Sequence, residues 1–289
     1  MNKNNYTKME RMRSYSSVFS RSMVTDVIKY NDFSRLNVLF HRYDDEIGNL
    51  TYIDYLKFLY KTIKKNYRCE YVYKNEIINN LLLKKYGTQN TIAINEYKVG
   101  NSIADLVMFN GVSRAFEIKT EYDTTKRLEQ QLEDYSKLFQ QCYIVVPKEL
   151  LSKYEGFVSE NIGIVVLFIE RDKVKLKEVR KSTVDNYIDV SILIRSVRTS
   201  EYKNIVFTHF GRLPDVSCYE MFDACEEWMR KIPQVELNKL FLTEIKKRKS
   251  STQLLEALPT EIRQIGLSMN LSKEQSFILL KKLSNPIKL

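Results

Sequence analysis

The arrangement of strand-like and helical segments between residues 92 and 179 constrains the fold most strongly. One helical segment, residues 124–140, interrupts a series of short runs rich in β-branched and aromatic residues, as is typical of strands. Strands joined through a helix commonly lie parallel in one sheet, whereas strands joined by a tight turn pair antiparallel. The sequence therefore predicts an α/β core with a mixed sheet, whose strands are expected at 92–97, 103–109, 112–119, 142–147, 162–169 and 174–179.

The sequence on both sides of this core predicts helices. Residues 51–65 repeat apolar side chains at helical spacing behind Thr51, a residue suited to a helix N-terminus. A helix that begins near residue 71 is expected to end at Gly87, and the pattern beyond about residue 186 is helical. We therefore expect a helical N-terminal region, a core and a helical C-terminal region at residues 1–70, 71–185 and 186–289.

The charge of the chain favours a polyanionic partner. Its 46 Lys and Arg residues against 36 Asp and Glu residues give a net charge of +10 at pH 7 and a pI near 9.2. This balance favours nucleic acid. The longest apolar run, residues 162–169, is shorter than the roughly 20 residues that a membrane helix needs, and no apolar segment follows the basic residues 1–14. We expect a cytoplasmic protein without a membrane partner.

Cysteine and histidine offer little candidate chemistry. The chain has four cysteines and two histidines, and no two cysteines form a C-x-x-C pair. A zinc site, a disulfide framework and a histidine-based hydrolase are therefore disfavoured. The residues concerned are Cys69, Cys142, Cys218, Cys225, His41 and His209.

The segment IADLVMFNGVSRAFEIKT, residues 103–120, places charged residues in two otherwise apolar strands. Residues that pair directly across a hairpin share a face, so the loop length decides which side chains lie together. A two-residue Asn110–Gly111 loop would mix charged and apolar side chains, whereas a three-residue loop that pairs Met108 with Val112 separates them. We expect the second arrangement, which gathers on one face Asp105, Ala115, Glu117 and Lys119.

In this arrangement Asp105 is expected opposite Ala115 and diagonal to Glu117, at about 7–8 Å between Cα atoms. Two carboxylates at that spacing can share a divalent ion. The alternative is a solvated sheet face with a cross-strand ion pair worth under about 1 kcal/mol. The helix predicted at 124–140 would cover this face, however, and charges under such cover need partners or a metal. The residues alone leave both interpretations open.

Three short motifs resemble the PD-(D/E)xK nuclease superfamily. IAD, residues 103–105, is followed by EIK, residues 117–119, with Ala104 where the name-giving proline would stand. QLEDY, residues 131–135, is similar to the Q-x-x-x-Y motif of the RecB-like exonuclease branch. The resemblance covers about residues 71–180 and extends to uncharacterised bacterial and phage members with appended helices. It implies a restriction-endonuclease-like core and a metal-dependent nuclease.

The resemblance implies roles for the residues of the hairpin. Asp105 and Glu117 would bind Mg²⁺ or Mn²⁺ with the help of the backbone carbonyl of Ile118, since these hard ions take oxygen ligands. Lys119 would orient the attacking water or stabilise the charge that develops on the phosphate.

The resemblance also assigns Gln131 and Tyr135, which lie one helical turn apart in the segment after the hairpin. They would brace the site or contact phosphate. A helix-forming Gln at the edge of an apolar stripe is the alternative interpretation of Gln131.

A third acidic ligand is expected at Glu96 or Glu76. Simple hairpin parity puts Tyr97, not Glu96, on the face of Asp105. Glu96 joins the site only if the connection at Gly100 contains a bulge, which glycine permits. We prefer Glu96 because it lies close along the chain, and the choice stays open.

These expectations combine into a metal-dependent nuclease that hydrolyses phosphodiester bonds, with DNA preferred to RNA as substrate. The helical flanks are expected to shape substrate access, or to hold a second copy of the chain or a protein partner. The basic run Lys246–Lys249 is a candidate for phosphate contact or a solvated face. The alternative function is a non-catalytic module that binds nucleic acid or protein through a nuclease fold. The intact Asp, Glu and Lys favour the enzyme.

Overall fold

The computed structural model describes residues 6–171 and 173–287. The helices are α1 (Lys8–Ser17), α2 (Arg21–Thr25), α3 (Ser34–Leu39), α4 (Tyr52–Asn66), α5 (Glu70–Ile77), α6 (Leu128–Ser136), α7 (Leu151–Glu155), α8 (Val190–Ser196), α9 (Thr199–Phe210), α10 (Met221–Met229), α11 (Gln234–Lys246), α12 (Arg263–Ser268) and α13 (Lys273–Leu283). The strands are β1 (Ile92–Val99), β2 (Ser102–Phe109), β3 (Ser113–Ile118), β4 (Gln141–Pro147), β5 (Gly163–Glu170) and β6 (Lys173–Arg180). Wider π-helical turns continue α2, α3 and α5.

The chain divides into two compact units, each built from separate segments. The helical unit consists of Met1–Lys85, Phe168–Leu176 and Ser251–Leu289. The sheet unit consists of Tyr86–Leu167 and Lys177–Ser250. The three-part organisation expected from the sequence stays a prediction, because compactness does not by itself measure independent folding.

Helix α4 supplies a large part of the core of the helical unit. Thr51 caps this helix by accepting the N–H of Asp54 at 3.3 Å, as the sequence predicted. The buried face of α4 packs in one cluster with side chains from α1, α3 and α13. Its members are Tyr52, Tyr55, Leu56, Leu59, Tyr60 and Ile63.

Backbone contacts join distant parts of the helical unit. Thr51 and Pro286 form an isolated antiparallel bridge. The N–H of Ile287 donates to the carbonyl of Leu50 at 2.9 Å. The last segment of this unit therefore completes a structure that begins more than two hundred residues earlier in the sequence.

The sheet contains six strands in the order β1-β2-β3-β4-β5-β6. The pairs β1–β2 and β2–β3 are antiparallel, and the pairs β3–β4 and β4–β5 are parallel. Helix α6 connects β3 to β4, so the predicted antiparallel part followed by a crossover to a parallel strand is confirmed. The fold is α/β, a mixed sheet flanked by helices.

Helix α6 is shorter than the segment 124–140 predicted from the sequence. A turn precedes it, in which the carboxylate of Asp123 accepts the N–H of Thr120 at 2.7 Å. This side-chain bond offers the backbone an alternative to helix. Across residues 6–171 and 173–287, none of the helices has the length and apolar character needed to cross a bilayer.

Candidate functional site

The β2–β3 hairpin has the parity that the sequence predicted but a different pairing. Phe109 pairs with Ser113, so the three-residue loop is Asn110–Val112 and the expected pairing of Met108 with Val112 is wrong by one position on each strand. The N–H of Asn110 donates to the carbonyl of Val112 at 3.3 Å and closes this loop. Gly111 has a φ of 93°, the left-handed conformation that a glycine adopts at little cost.

The shifted pairing brings the two carboxylates nearer than expected. Leu106 pairs with Phe116, so the next position along the ladder sets Asp105 against Glu117 rather than against Ala115. Residues opposite each other on a ladder share a face, so both side chains lie on the same side of the sheet. A metal ion shared by Asp105 and Glu117 requires both carboxylates on one face of the sheet, and the hairpin meets this requirement.

Asp105 is held by the neighbouring strand. Its Oδ2 accepts the backbone N–H of Ile118 at 2.8 Å, and the residue is half-buried. This bond fixes the carboxylate against the last residue of β3, in the middle of the Glu117–Lys119 segment. Whether the carbonyl of Ile118 binds a metal, as expected, stays a prediction.

Glu117 and Lys119 form a buried ion pair. Lys119 Nζ lies 2.8 Å from Glu117 Oε1, and the side chains are 10% and 3% exposed. The same ammonium donates to Oε1 of Gln131 at 3.0 Å. Helix α6 thus supplies a polar side chain to the charged face, and Gln131 contacts Lys119 instead of lying in solvent.

The second oxygen of Glu117 contacts Tyr135. The Tyr135 hydroxyl lies 2.7 Å from Glu117 Oε2 and 2.8 Å from the carbonyl oxygen of Ile103. A phenol carries one proton and cannot donate fully to both acceptors. When Glu117 is protonated, its carboxyl group donates to Tyr135 and Tyr135 donates to Ile103, which satisfies all three groups.

The pKa of Glu117 agrees with a proton at this position. Burial, and next the charge of Asp105, raise the pKa of Glu117 from 4.5 to about 7, against the lowering effects of Lys119 and Tyr135. Burial also raises the pKa of the Tyr135 hydroxyl far above its usual value, so Tyr135 acts only as a neutral group. The two carboxylates therefore share a site in which one of them readily holds a proton.

Glu96 occupies an irregular position in β1. The two strands β1 and β2 keep one register along their length, in which Glu96 falls opposite Asp105. The bulge considered at Gly100 is absent, since Gly100 and Asn101 form a two-residue turn. The irregularity lies at Glu96 itself, which is exposed and has a φ of 56°, a conformation uncommon for residues with a side chain.

The register pairs Tyr97 with Ala104 and sets Glu96 against Asp105, so the expectation that hairpin parity puts Tyr97 rather than Glu96 on the face of Asp105 is wrong. The buried ring of Tyr97 lies 6.0 Å from that of Phe109 and 5.8 Å from that of Phe139. The role of Glu96 as a third metal ligand stays a prediction.

Glu76, the alternative acid, belongs to the helical unit. It is buried, accepts the hydroxyl proton of Tyr60 at 2.8 Å and accepts the side-chain N–H of Asn80 at 3.0 Å. These partners explain how a carboxylate is tolerated inside α5.

Two carboxylates and a backbone carbonyl are a donor set that suits Mg²⁺ or Mn²⁺. Mg²⁺ is commonly bound through one or two carboxylates with water completing its shell. Within residues 6–171 and 173–287, no group of three or more His, Cys, Asp and Glu side chains is placed to hold a metal. Asp105 and Glu117 therefore fit such an ion only with ligands from backbone, water or phosphate.

Two polar residues of the site region were not singled out from the sequence. Asp134 is buried, and its Oδ2 accepts the hydroxyl proton of Ser102 at 2.6 Å. This bond ties the start of β2 to α6, and so helps to hold the strand of Asp105 against the helix of Tyr135. Asp134 lies inside the QLEDY segment, but a polar residue in a helix gives no signal of which strand it will contact.

The basic run Lys246–Lys249, a candidate for phosphate contact, includes two residues that already pair with acidic side chains. Arg248 donates to both carboxylate oxygens of the buried Glu201 at 2.6 Å and lies over the ring of Tyr97. Lys247 is paired with Glu244. The charge of Arg248 is therefore used inside the sheet unit, and its candidate role as a phosphate contact stays a prediction.

Residues 63–270, more than half of the chain, match the model described as Bacteriophage P4 protein cII. The chain belongs to the phage P4 protein cII family. The matched range contains every residue of the hairpin and of α6 discussed above, so the candidate site lies in the part shared with this family.

Protein cII of Enterobacteria phage P4 is 28% identical to the chain over 173 residues. The alignment covers 59% of the chain and 64% of the phage protein, so the chain spans slightly less than two thirds of that relative. A solved structure, the SPO1766 protein of unknown function from Silicibacter pomeroyi, is 10% identical with a TM-score of 0.28, covering 45% of this chain and 86% of that one.

Proposed function

We propose that this member of the P4 cII family is a metal-dependent nuclease of the PD-(D/E)xK type, with its site in the sheet unit. The observation that carries the proposal is the ion pair of Glu117 and Lys119, at 2.8 Å, on the face that Asp105 shares. Buried ionisable groups with strongly perturbed pKa values concentrate at functional sites. We further propose DNA as the preferred substrate and the cytoplasm as the location.

Each residue has a separate task in the proposed reaction. Asp105 and Glu117, with the carbonyl of Ile118, would hold Mg²⁺ or Mn²⁺, which when bound supplies positive charge to the phosphate and lowers the pKa of water. Lys119 presents an ammonium beside the same carboxylates, where it neutralises charge that develops on the phosphate oxygens. 

Helix α6 would position these groups. Gln131 restrains Lys119 through its 3.0 Å bond, and Tyr135 restrains Glu117 through its 2.7 Å bond. Both are positioning residues, because each acts through a residue of the Glu117–Lys119 segment.

The proposal is tested by incubating purified protein with labelled linear, circular and branched DNA and with RNA, in Mg²⁺, Mn²⁺ or EDTA. Cleavage is expected with metal and not with EDTA. Asp105→Asn is expected to abolish cleavage, while Asp223→Asn, a change of the same type on α10, leaves it intact. Absence of cleavage on every substrate, or equal activity of Asp105→Asn and wild type, would reject the nuclease.

A second candidate is a binding module that uses the nuclease fold without catalysis. It is favoured by the contacts of Glu117, whose two oxygens already have Lys119 and Tyr135 as partners. Such a module would bind nucleic acid, a second copy of the chain or another protein. It predicts that Mn²⁺ leaves the melting temperature unchanged, whereas a metal-dependent nuclease is stabilised by the ion that it binds.

A further inference from the structure

The net charge of the chain is confined to one of its two units. The segments of the helical unit contain 24 of the 46 Lys and Arg residues and 14 of the 36 Asp and Glu residues, a net charge of +10. The sheet unit contains the remaining 22 of each, a net charge of zero. The unit that carries the candidate active site therefore has no net charge, and all of the net positive charge of the chain lies in the helical unit.

Three lysines of α4 form a lysine patch, which we define as Lys61, Lys64 and Lys65. They line a cavity of about 210 Å³ together with Ile169 and Val174, all within the helical unit. Lysines 61 and 65 are exposed and lie one helical turn apart, opposite the buried stripe of α4. The lysine patch thus lines this recess with positively charged side chains.

The lysines of the patch differ in how far their charge is compensated. Lys61 has no ion-pair partner among the residues that the structure describes. Lys64 Nζ lies 3.5 Å from Glu76 Oε1, an oxygen that also accepts a shorter bond of 2.8 Å from the Tyr60 hydroxyl. Lysines in the last turn of a helix also interact favourably with its dipole, which is the ordinary explanation for two of them. That explanation accounts for neither Lys61 nor the recess.

We propose that the lysine patch binds the phosphate backbone of nucleic acid, and that the helical unit supplies affinity while the sheet unit supplies cleavage. The choice of nucleic acid as ligand rests on the proposed function. Lysine ammonium groups bind phosphates as point charges without reading bases, so this contact is independent of sequence. The recess would accommodate part of the backbone, and its other lining side chains, Ile169 and Val174, are apolar.

The test measures binding separately from cleavage. Fluorescently labelled single-stranded and duplex DNA are titrated with full-length protein in EDTA at salt concentrations between 50 and 200 mM. The variant is Lys61→Gln/Lys64→Gln/Lys65→Gln. Each lost duplex contact is expected to reduce the slope of log K against log salt by about 0.9, or by about 0.7 for a single strand.

The matched control removes the same charge from the sheet unit with Lys153→Gln/Lys231→Gln/Lys239→Gln, three exposed lysines. The control is expected to keep the wild-type slope. Equal loss in both triple variants, or an unchanged slope in the patch variant, overturns the proposal. The double variant Lys61→Gln/Lys65→Gln, which leaves the contact of Lys64 with Glu76, should show two thirds of the effect if unfolding is not its cause. Wild-type binding that depends on the patch without any cleavage would reject the nuclease alone.

Discussion

The hydroxyl of Tyr135 lies 2.7 Å from Oε2 of Glu117, which joins the helix after the hairpin to the strand of the candidate site. Because the same hydroxyl also contacts the carbonyl of Ile103 and carries a single proton, both contacts are full hydrogen bonds only when Glu117 carries a proton of its own. The protonation of Glu117 and the packing of α6 are therefore coupled.

Tyr135→Phe is expected to destabilise the protein by about 1–3 kcal/mol, the usual cost of leaving a buried acceptor without its donor. It should also raise the pKa of Glu117, because the hydrogen bond from Tyr135 lowers that pKa. Denaturant unfolding and NMR titration of the Glu117 carboxyl measure the two effects. Tyr154→Phe is the control, since the described residues give its buried hydroxyl no hydrogen-bond partner. A Tyr154 variant as unstable as Tyr135→Phe would contradict this account.

The stability of the metal-free protein should fall between about pH 4.5 and pH 7. The pKa of Glu117 in the folded protein, about 7, is above the ordinary value of 4.5, so the folded state holds a proton that the unfolded chain releases in this interval. The free energy of unfolding then decreases with pH by at most about 1.4 kcal/mol per unit. Glu117→Gln should remove this fall and Glu129→Gln, an exposed change on α6, should keep it. Unfolding curves in EDTA across this range decide the point.

Lys119→Met should separate metal binding from cleavage. Removing the ammonium leaves both carboxylates in place, so Mn²⁺ should still raise the melting temperature, and by more than in wild type, while cleavage is lost. Asp105→Asn should lose both responses. Lys98→Met, an exposed lysine of β1, should behave as wild type in thermal melts and in cleavage assays. Loss of the metal response in Lys119→Met would show that Lys119 is required to build the site.

Glu96→Asn should stabilise the fold, by up to about 1 kcal/mol, because Asn tolerates the left-handed conformation better than Glu. If Glu96 also completes the proposed metal site, the same variant should weaken Mn²⁺ binding and cleavage. Arg171→Asn is the control, since Arg171 has a φ of 49°. A gain in stability in both variants with activity lost only in Glu96→Asn would indicate strain that is kept for function.

Arg248→Gln should destabilise the sheet unit by about 3 kcal/mol, because it leaves the buried carboxylate of Glu201 without its two-bond partner. Lys246→Gln, on the exposed side of the same run, should change the free energy of unfolding by less than about 0.5 kcal/mol. Urea denaturation distinguishes the two. If both substitutions change the free energy of unfolding by the same small amount, Arg248 contributes no more to stability than an exposed side chain does.

The sequence predicted the strands and the shared face because both depend on local patterns. Alternation with a period of two and a glycine in the hairpin loop are sufficient to place Asp105 and Glu117 on one side of the sheet. A shift of one residue on each strand keeps the same side chains together on each face. The predicted faces of β2 and β3 are therefore correct, although the predicted pairing of Met108 with Val112 is not.

The remaining features depend on contacts between distant segments. The bond of Ser102 with Asp134 and the pairing of Arg248 with Glu201 join residues 32 and 47 positions apart. The left-handed conformation of Glu96 could not be predicted from the sequence either, because Gly, Asn and Asp are the residues that commonly adopt it. Such features arise from tertiary packing, which no local pattern records.

The bridge between Thr51 and Pro286 also bears on the order in which the two units can fold during synthesis. The sheet unit is complete in sequence once Ser250 has been made, while the helical unit must wait for its last segment. Contacts at such sequence separation form slowly, because a long loop has to close before they add stability. A growing chain can therefore assemble the Asp105–Glu117 hairpin before the segment from Ser251 onward, which the helical unit requires, has been made.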